Sequence, residues 1–283
     1  MRARAPASSA NLGPGFDTLA VALGLYVEVC VERAPRLSVS STGEGAELPT
    51  DAGHLAARVA CRVAGTDRLA ITVRSDIPVG RGLGSSAALA VAAAAAAGST
   101  DPLAIGAEID GHPENAAASV VGGLVTATVV GDGVEVRRLA LDPEVVFVLV
   151  VPDRHLSTAA ARKALPEHVP HVDACFNLGR MGLLVAGLAD HRLLVPAATE
   201  DRLHQTWRTA LFGEAPALLA ALVEGGALAA CWSGAGPSLL GICTALAQPG
   251  VARAATAALA AAEVAGRVLP LAADRAGVVV GHR

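Results

Sequence analysis

"IPVGRGLGSSAALAVAAAAAAG", Ile77 to Gly98, places a glycine-rich turn and a serine pair directly ahead of a run of alanines. Gly80, Gly82 and Gly84 let the chain fold tightly and aim several backbone N–H groups at one point. Ser85 and Ser86 open a helix whose first N–H groups have no helical partner and whose dipole favours anions. Such a turn can hold phosphate with backbone alone. It is not a Walker loop, GxxxxGK[ST], because Ala87 and Ala88 follow the serines where that motif needs a lysine. Nor is it the dinucleotide fingerprint G-x-G-x-x-G, since serine stands in place of the third glycine. Spacing alone leaves two readings open: a phosphate site, or a structural turn capped by serine.

Composition narrows the function classes. The 283 residues are 53% hydrophobic and 17% charged, which supports a large core, divided over about two domains, and excludes disorder. A net charge of −4 gives no electrostatic footprint for nucleic acid, and few aromatics are present to stack on bases. Lys163 is the only lysine, so lysine-dependent phosphate loops and Schiff bases are nearly excluded. Cys30, Cys61, Cys175, Cys231 and Cys243 are scattered without CxxC spacing and read as reduced thiols of an intracellular protein. The histidines form no HExxH or other ligand-spaced cluster. The N-terminus lacks a signal-peptide core, and the longest apolar run, Ala87 to Ala97, is too short to span a bilayer, which takes about 20 helical residues. A soluble, cytoplasmic protein is expected.

The pattern along the chain is mixed α and β. Leu19–Val31, Arg68–Pro78 and Val145–Asp153 read as strands, and Val120–Leu139 as a hairpin bent at Gly-Asp-Gly. Helices are expected from Ser85 to a stop at Gly98, over Leu103–Ile109, over Thr158–Leu165 and around Asn177–Ala189. Ala227–Cys243 reads as strand, glycine turn and strand, followed by an amphipathic helix and a terminal strand, Ala276–Gly281. Two αβ domains are expected, residues 1–150 and 151–283.

Two further glycine turns change the balance at the first. "PASSANLGPGFDTLAVAL" opens the chain at Pro6, and "SGAGPSLLGI" lies at Ser233 to Ile242. With "PVGRGLGSSAA" these resemble, in order, the three motifs of the GHMP kinase superfamily, over essentially the whole chain. Within it, "EIDGHPENAAASVVGG" (Glu108 to Gly123), "STAAARKALP" (Ser157 to Pro166) and "EDRLHQTWR" (Glu200 to Arg208) are most similar to the homoserine kinase family. Glu114, Ala118, Thr206 and Trp207 depart from the residues common at those positions.

The resemblance implies an α+β fold, with an N-terminal domain like ribosomal protein S5 domain 2 and a ferredoxin-like C-terminal domain. It implies transfer of the γ-phosphoryl of ATP to the side-chain hydroxyl of L-homoserine, a step toward threonine, by a homodimer. Pro78, Gly80, Arg81, Gly82, Leu83, Gly84, Ser85, Ser86 and Ala87 would form the ATP-binding loop, supported by Ser233, Gly234, Ala235 and Gly236. Asp17 would hold the substrate ammonium, while Arg162 and Arg208 clamp its carboxylate with their guanidinium forks. Thr158 would add a hydroxyl donor, and Asn11 and Asn115 would position the alcohol and phosphoryl group. Mg²⁺ would be held by Ser86 and Glu108, with Asp110 the alternative acid. Asn115 occupies the place of an aspartate base in mevalonate kinase-like relatives. An amide is no base, so catalysis would rest on positioning and electrostatics. The rival readings are another small-molecule kinase of the superfamily, for pantoate, shikimate or mevalonate, and a non-catalytic nucleotide-binding protein on the same fold.

Overall fold

The computed structural model describes residues 1–281. Its first half is a sheet backed by helices. Strand β1 (Arg2–Asn11) runs into β2 (Gly15–Arg33) through a tight turn in which Asn11 and Leu12 take left-handed backbone angles, φ +72° and +50°. β2 is long enough to serve two neighbours besides β1. Its last residues pair with β4 and its first with β5. β3 (Ser38–Gly43) is followed by helix α1 (Leu55–Ala64) and β4 (Leu69–Ser75), with β3 and β4 parallel. The quoted loop leads from β4 into α2 (Ser85–Ala96), and α3 (Pro102–Asp110) and α4 (Pro113–Val121) follow. The expected hairpin is β5 (Leu124–Val130) and β6 (Gly133–Leu139).

α2 packs against β1, β2, α1, α3 and α4 and is buried from Ala87 through Ala96. A helix enclosed on all sides needs no polar face, which accounts for the alanine run. Small side chains let its neighbours approach closely. At Gly106 of α3, a Cβ would come within 2.9 Å of both Ala116 on α4 and Val91 on α2.

The second half opens with β7 (Val145–Pro152), then α5 (Thr158–Lys163), α6 (His171–Ala189), the short α7 (Gln205–Arg208) and α8 (Ala215–Glu224). β8 (Ala229–Trp232) and β9 (Leu239–Thr244) form the second expected hairpin, and α9 (Gln248–Ala261) leads to β10 (Gly266–Leu271). These four strands form one antiparallel sheet in the order β10-β7-β9-β8. Counted along the chain this is fourth, first, third, second, the ferredoxin-like arrangement. The last strand, β11 (Val279–Gly281), returns to β1 of the first sheet. The division between sheets therefore falls before β7, so a cut at 150 would sever that strand, and β11 belongs to the first layer.

α6 is the one helix among the described residues with the length and hydropathy to cross a membrane, with mean hydropathy 1.3. No such segment was expected, because polar residues interrupt its apolar sequence. Those residues tie it to the fold. Asn177 donates to Asp201 at 2.7 Å, and the Phe176 ring lies against the guanidinium groups of Arg180 and Arg202.

Candidate active site

The site forms where the three glycine turns meet. Gly82 has φ +72°, and a Cβ there would overlap the carbonyl oxygen of Ser233. The Ser233 hydroxyl donates to the Gly82 carbonyl at 2.8 Å, and the Gly234 N–H donates to the carbonyl of Ala10 at 3.0 Å. Gly84 caps α2 in the left-handed conformation, and a Cβ on it would overlap the Ser8 hydroxyl. The glycines are required by contact, and the contacts hold the N-terminus of α2 toward a cleft. That cleft is lined by Gly80 through Ser86, with Gly234 and Ala235 opposite. Ala87 is buried behind the loop, and Pro78 faces an adjoining cavity of about 380 Å³ on its far side.

Across the cleft stand Asp17, Thr158, Arg162 and Arg208. Arg162 donates to Asp17 at 2.7 Å, and both side chains keep access to solvent. An exposed pair of this kind is worth about 0–1 kcal/mol, so a ligand that offers each partner a better contact splits it at little cost. Arg208 differs, being 2% exposed. Its Nη1 donates to the carbonyl of Gly234 at 2.8 Å and lies 3.0 Å from Nδ1 of His204, while Nε has no partner. Burial, with help from Arg162, lowers its pKa to about 10, which leaves it charged at neutral pH.

His204 was not foreseen as a site residue. It is fully buried, stacks on Phe16 with centroids 5.1 Å apart, and has Nε2 2.8 Å from the carbonyl of Gly13. A carbonyl can only accept, so Nε2 donates and Nδ1 is free to accept from Arg208. Burial lowers the His204 pKa to about 4, consistent with this neutral tautomer. Its place four residues before Arg208 was the available signal, since that spacing stacks two side chains on one helical face.

The two asparagines are braced. Asn115 accepts from the Ser8 hydroxyl at 2.8 Å and donates to Asp110 at 3.0 Å. Asn11 donates to the carbonyl of Gly234 at 2.9 Å and accepts from the backbone N–H of Asp17 at 3.0 Å. The second bond holds Asp17 in its left-handed conformation, φ +52°. Asn11 thus lines the cleft but acts chiefly on Asp17 and the Gly234 turn.

Glu108 does not reach the cleft. It forms a two-point pair with Arg62, at 2.7 and 2.8 Å, on an exposed face of α3, and that partner holds its carboxyl below the usual range. Residues two apart on a helix point in nearly opposite directions, so when Asp110 faces the cleft Glu108 cannot. The alternative, Asp110, lines the cleft with Ser86, His112 and Glu114. Nδ1 of His112 lies 3.1 Å from both Asp110 and Glu114 but is aligned as a hydrogen bond with neither. Burial alone would lower its pKa; the two carboxylates outweigh this and raise it to about 10.

The donor set suits a hard divalent ion. Asp110 accepts from Asn115 through Oδ2, with His112 beside the same oxygen, which leaves Oδ1 for another ligand, and Oε2 of Glu114 is buried without a partner.

A lysine-free glycine loop clasped by two other glycine turns, on a seven-stranded sheet joined to a ferredoxin-like one, is the arrangement of a GHMP-type small-molecule kinase. Residues 52–123 match the family "GHMP kinases N terminal domain". The chain is 43% identical to homoserine kinase of Clavibacter michiganensis subsp. michiganensis, covering 85% of this chain and 81% of that one. It is 41% identical to homoserine kinase of Leifsonia xyli subsp. xyli, covering 98% and 90%. The chain belongs to the homoserine kinase family. Among solved structures, homoserine kinase from Cytophaga hutchinsonii superposes with a TM-score of 0.86 at 26% identity, covering 99% of this chain and 97% of that one. L. major mevalonate kinase shares the fold, with a TM-score of 0.70 at 13% identity over 97% and 96% of the two chains.

Proposed function

We propose that the chain transfers the γ-phosphoryl group of ATP to the side-chain hydroxyl of L-homoserine, giving O-phospho-L-homoserine and ADP in the cytoplasm, as a step toward threonine. The observation that carries the substrate is the Asp17–Arg162 pair beside buried Arg208. The carboxylate is placed for an ammonium and the guanidinium groups for a carboxylate, so a zwitterion replaces the internal pair without leaving either charge unmatched. The Thr158 hydroxyl lines the same wall. The Gly80–Ser86 loop and the N-terminus of α2 hold the triphosphate through backbone N–H groups. Ser86 and Asp110, aided by Glu114, would hold Mg²⁺, which supplies charge neutralisation on the phosphates.

Asn115 orients the acceptor hydroxyl and takes no proton; the proton leaves to the transferred phosphate or to water. Phosphoryl transfer has a loose transition state, so alignment and charge stabilisation suffice. A homodimer, as the resemblance implies, and reduced thiols complete the reading.

Coupled ADP release with a panel of alcohols tests it: turnover is expected on L-homoserine and not on pantoate, shikimate or mevalonate. Turnover on pantoate alone would overturn the substrate, and none on any acceptor would favour a non-catalytic role. Arg208→Ala is expected to raise KM for homoserine by at least about tenfold, with KM for ATP little changed.

A further inference from the structure

The loop that binds phosphate through backbone still carries one uncommitted positive charge. Arg81 lies between Gly80 and Gly82, both in the left-handed conformation. Its backbone is fixed from two sides. A Cβ on Gly80 would come within 2.8 Å of His155, and one on Gly82 would overlap Ser233. The side chain borders both the cleft, with Ser86 and Asn115, and the adjoining cavity, with Pro78 and Val79. Its Nη1 is shut off from solvent and has no hydrogen-bond partner.

The other cations of the cleft are engaged. Arg162 pairs with Asp17, Arg208 spends Nη1 on the Gly234 carbonyl and His204, and His112 sits between Asp110 and Glu114. Among the described residues Arg81 has no ion pair, although Glu44, Glu47 and Asp153 border the same cavity and Glu44 is taken by Arg267. A buried guanidinium N–H without an acceptor is costly, and natural sites keep such a group where a ligand completes it. The acceptor that fits a guanidinium fork at a phosphate loop is a phosphoryl oxygen. The only lysine of the chain, Lys163, is exposed on α5 outside the cleft.

We propose that the Arg81 guanidinium binds the nucleotide's polyphosphate, supplying from within the loop the side-chain cation that a Walker loop takes from its lysine. This rests on reading the site as ATP-dependent. It predicts that affinity depends on the β- and γ-phosphates more than on the nucleoside.

The test is calorimetric binding of ATP, ADP, AMP and tripolyphosphate to the full chain, as wild type, Arg81→Ser and Arg81→Lys. Arg81→Ser is expected to weaken ATP, ADP and tripolyphosphate by about tenfold or more, leaving AMP within about twofold. Arg81→Lys is expected to recover most of the loss, as a structural prop of the loop would not, and KM for homoserine is expected to stay within about twofold in both. A loss below about threefold for ADP, or an equal loss for AMP, would overturn the inference. Its failure is separable from that of the proposed reaction: wild type that binds ADP but does not phosphorylate homoserine refutes the substrate, while the arginine is judged on ADP binding.

Discussion

A helical displacement of two residues separates a surface ion pair from a residue of the cleft. Glu108 and Asp110 both lie on α3, and sequence spacing shows only that one at most can face the cleft. Which one is fixed by packing: Arg62 on α1 claims Glu108, and Asn115 claims Asp110. Asp110→Asn is therefore expected to lower kcat on the order of 100-fold, by weakening charge neutralisation on the phosphates. Glu108→Gln is expected to leave kcat within about twofold; steady-state kinetics on both variants check this. The titrating neighbours of the site also constrain the chemistry. His204 is pushed down to about 4, and Arg208 lies near 10. Neither changes charge between about pH 6.5 and 8.5, and Asn115 carries no proton to lose, so kcat at saturating substrates is expected to be flat there. A steep titration abolished by substituting His112 would show that a side-chain base exists. The partners of these residues explain what the sequence could not show: Ser8 meets Asn115 from 107 positions away, through the sheet and not through any local pattern.

At the scale of elements, the glycine loop and the helix behind it were legible because their glycines, serines and alanines each answer a local demand. The glycines supply positive φ, the serines begin the helix, and alanine suits a helix enclosed on all sides. The edge strand β3 and the strand β1 were less visible. β1 reads as a small-residue turn, yet its residues Ala3 to Asn11 are buried apart from Arg4 and pair with β2 along nearly their whole length. α6 begins at His171, directly after Pro170 and earlier than its clearest apolar stretch, and Arg180 and Arg202 cover Phe176 in its second turn. The clasp between loops gives the prediction at this scale. Gly82→Ala places a methyl against the Ser233 carbonyl at a positive φ and is expected to cost about 1–3 kcal/mol. Thermal unfolding should show the loss, and ATP affinity should fall with it, since the loop must shift to relieve the overlap.

For the whole molecule, buried His204 and half-buried His112 oppose each other in pH. His204 has its pKa lowered to about 4, so its contribution to stability is present above its ordinary value near 6.5 and is lost as pH falls toward 4. His112 has its pKa raised to about 10, so its contribution is present below 6.5 and is lost as pH rises toward 10. Urea unfolding in metal-free buffer is expected to show a maximum near pH 6.5, and His204→Gln should lessen the acid-side loss, to which buried His54 also contributes, while leaving the alkaline side unchanged. The two-layer architecture was legible from alternating strand and helix patterns, but the placement of its seam was not. β7 belongs to the second sheet by pairing with β9 and β10, and β11 crosses back to the first. No property of those short apolar runs distinguishes which sheet they join.

Phosphorus NMR of a reaction containing ATP, Mg²⁺ and L-homoserine tests the proposed reaction most directly. Transfer to the side-chain hydroxyl predicts a phosphate monoester signal split by the two protons of the adjacent methylene, growing in step with ADP. ATP consumed to inorganic phosphate, or no new ester while another alcohol is phosphorylated, would contradict it.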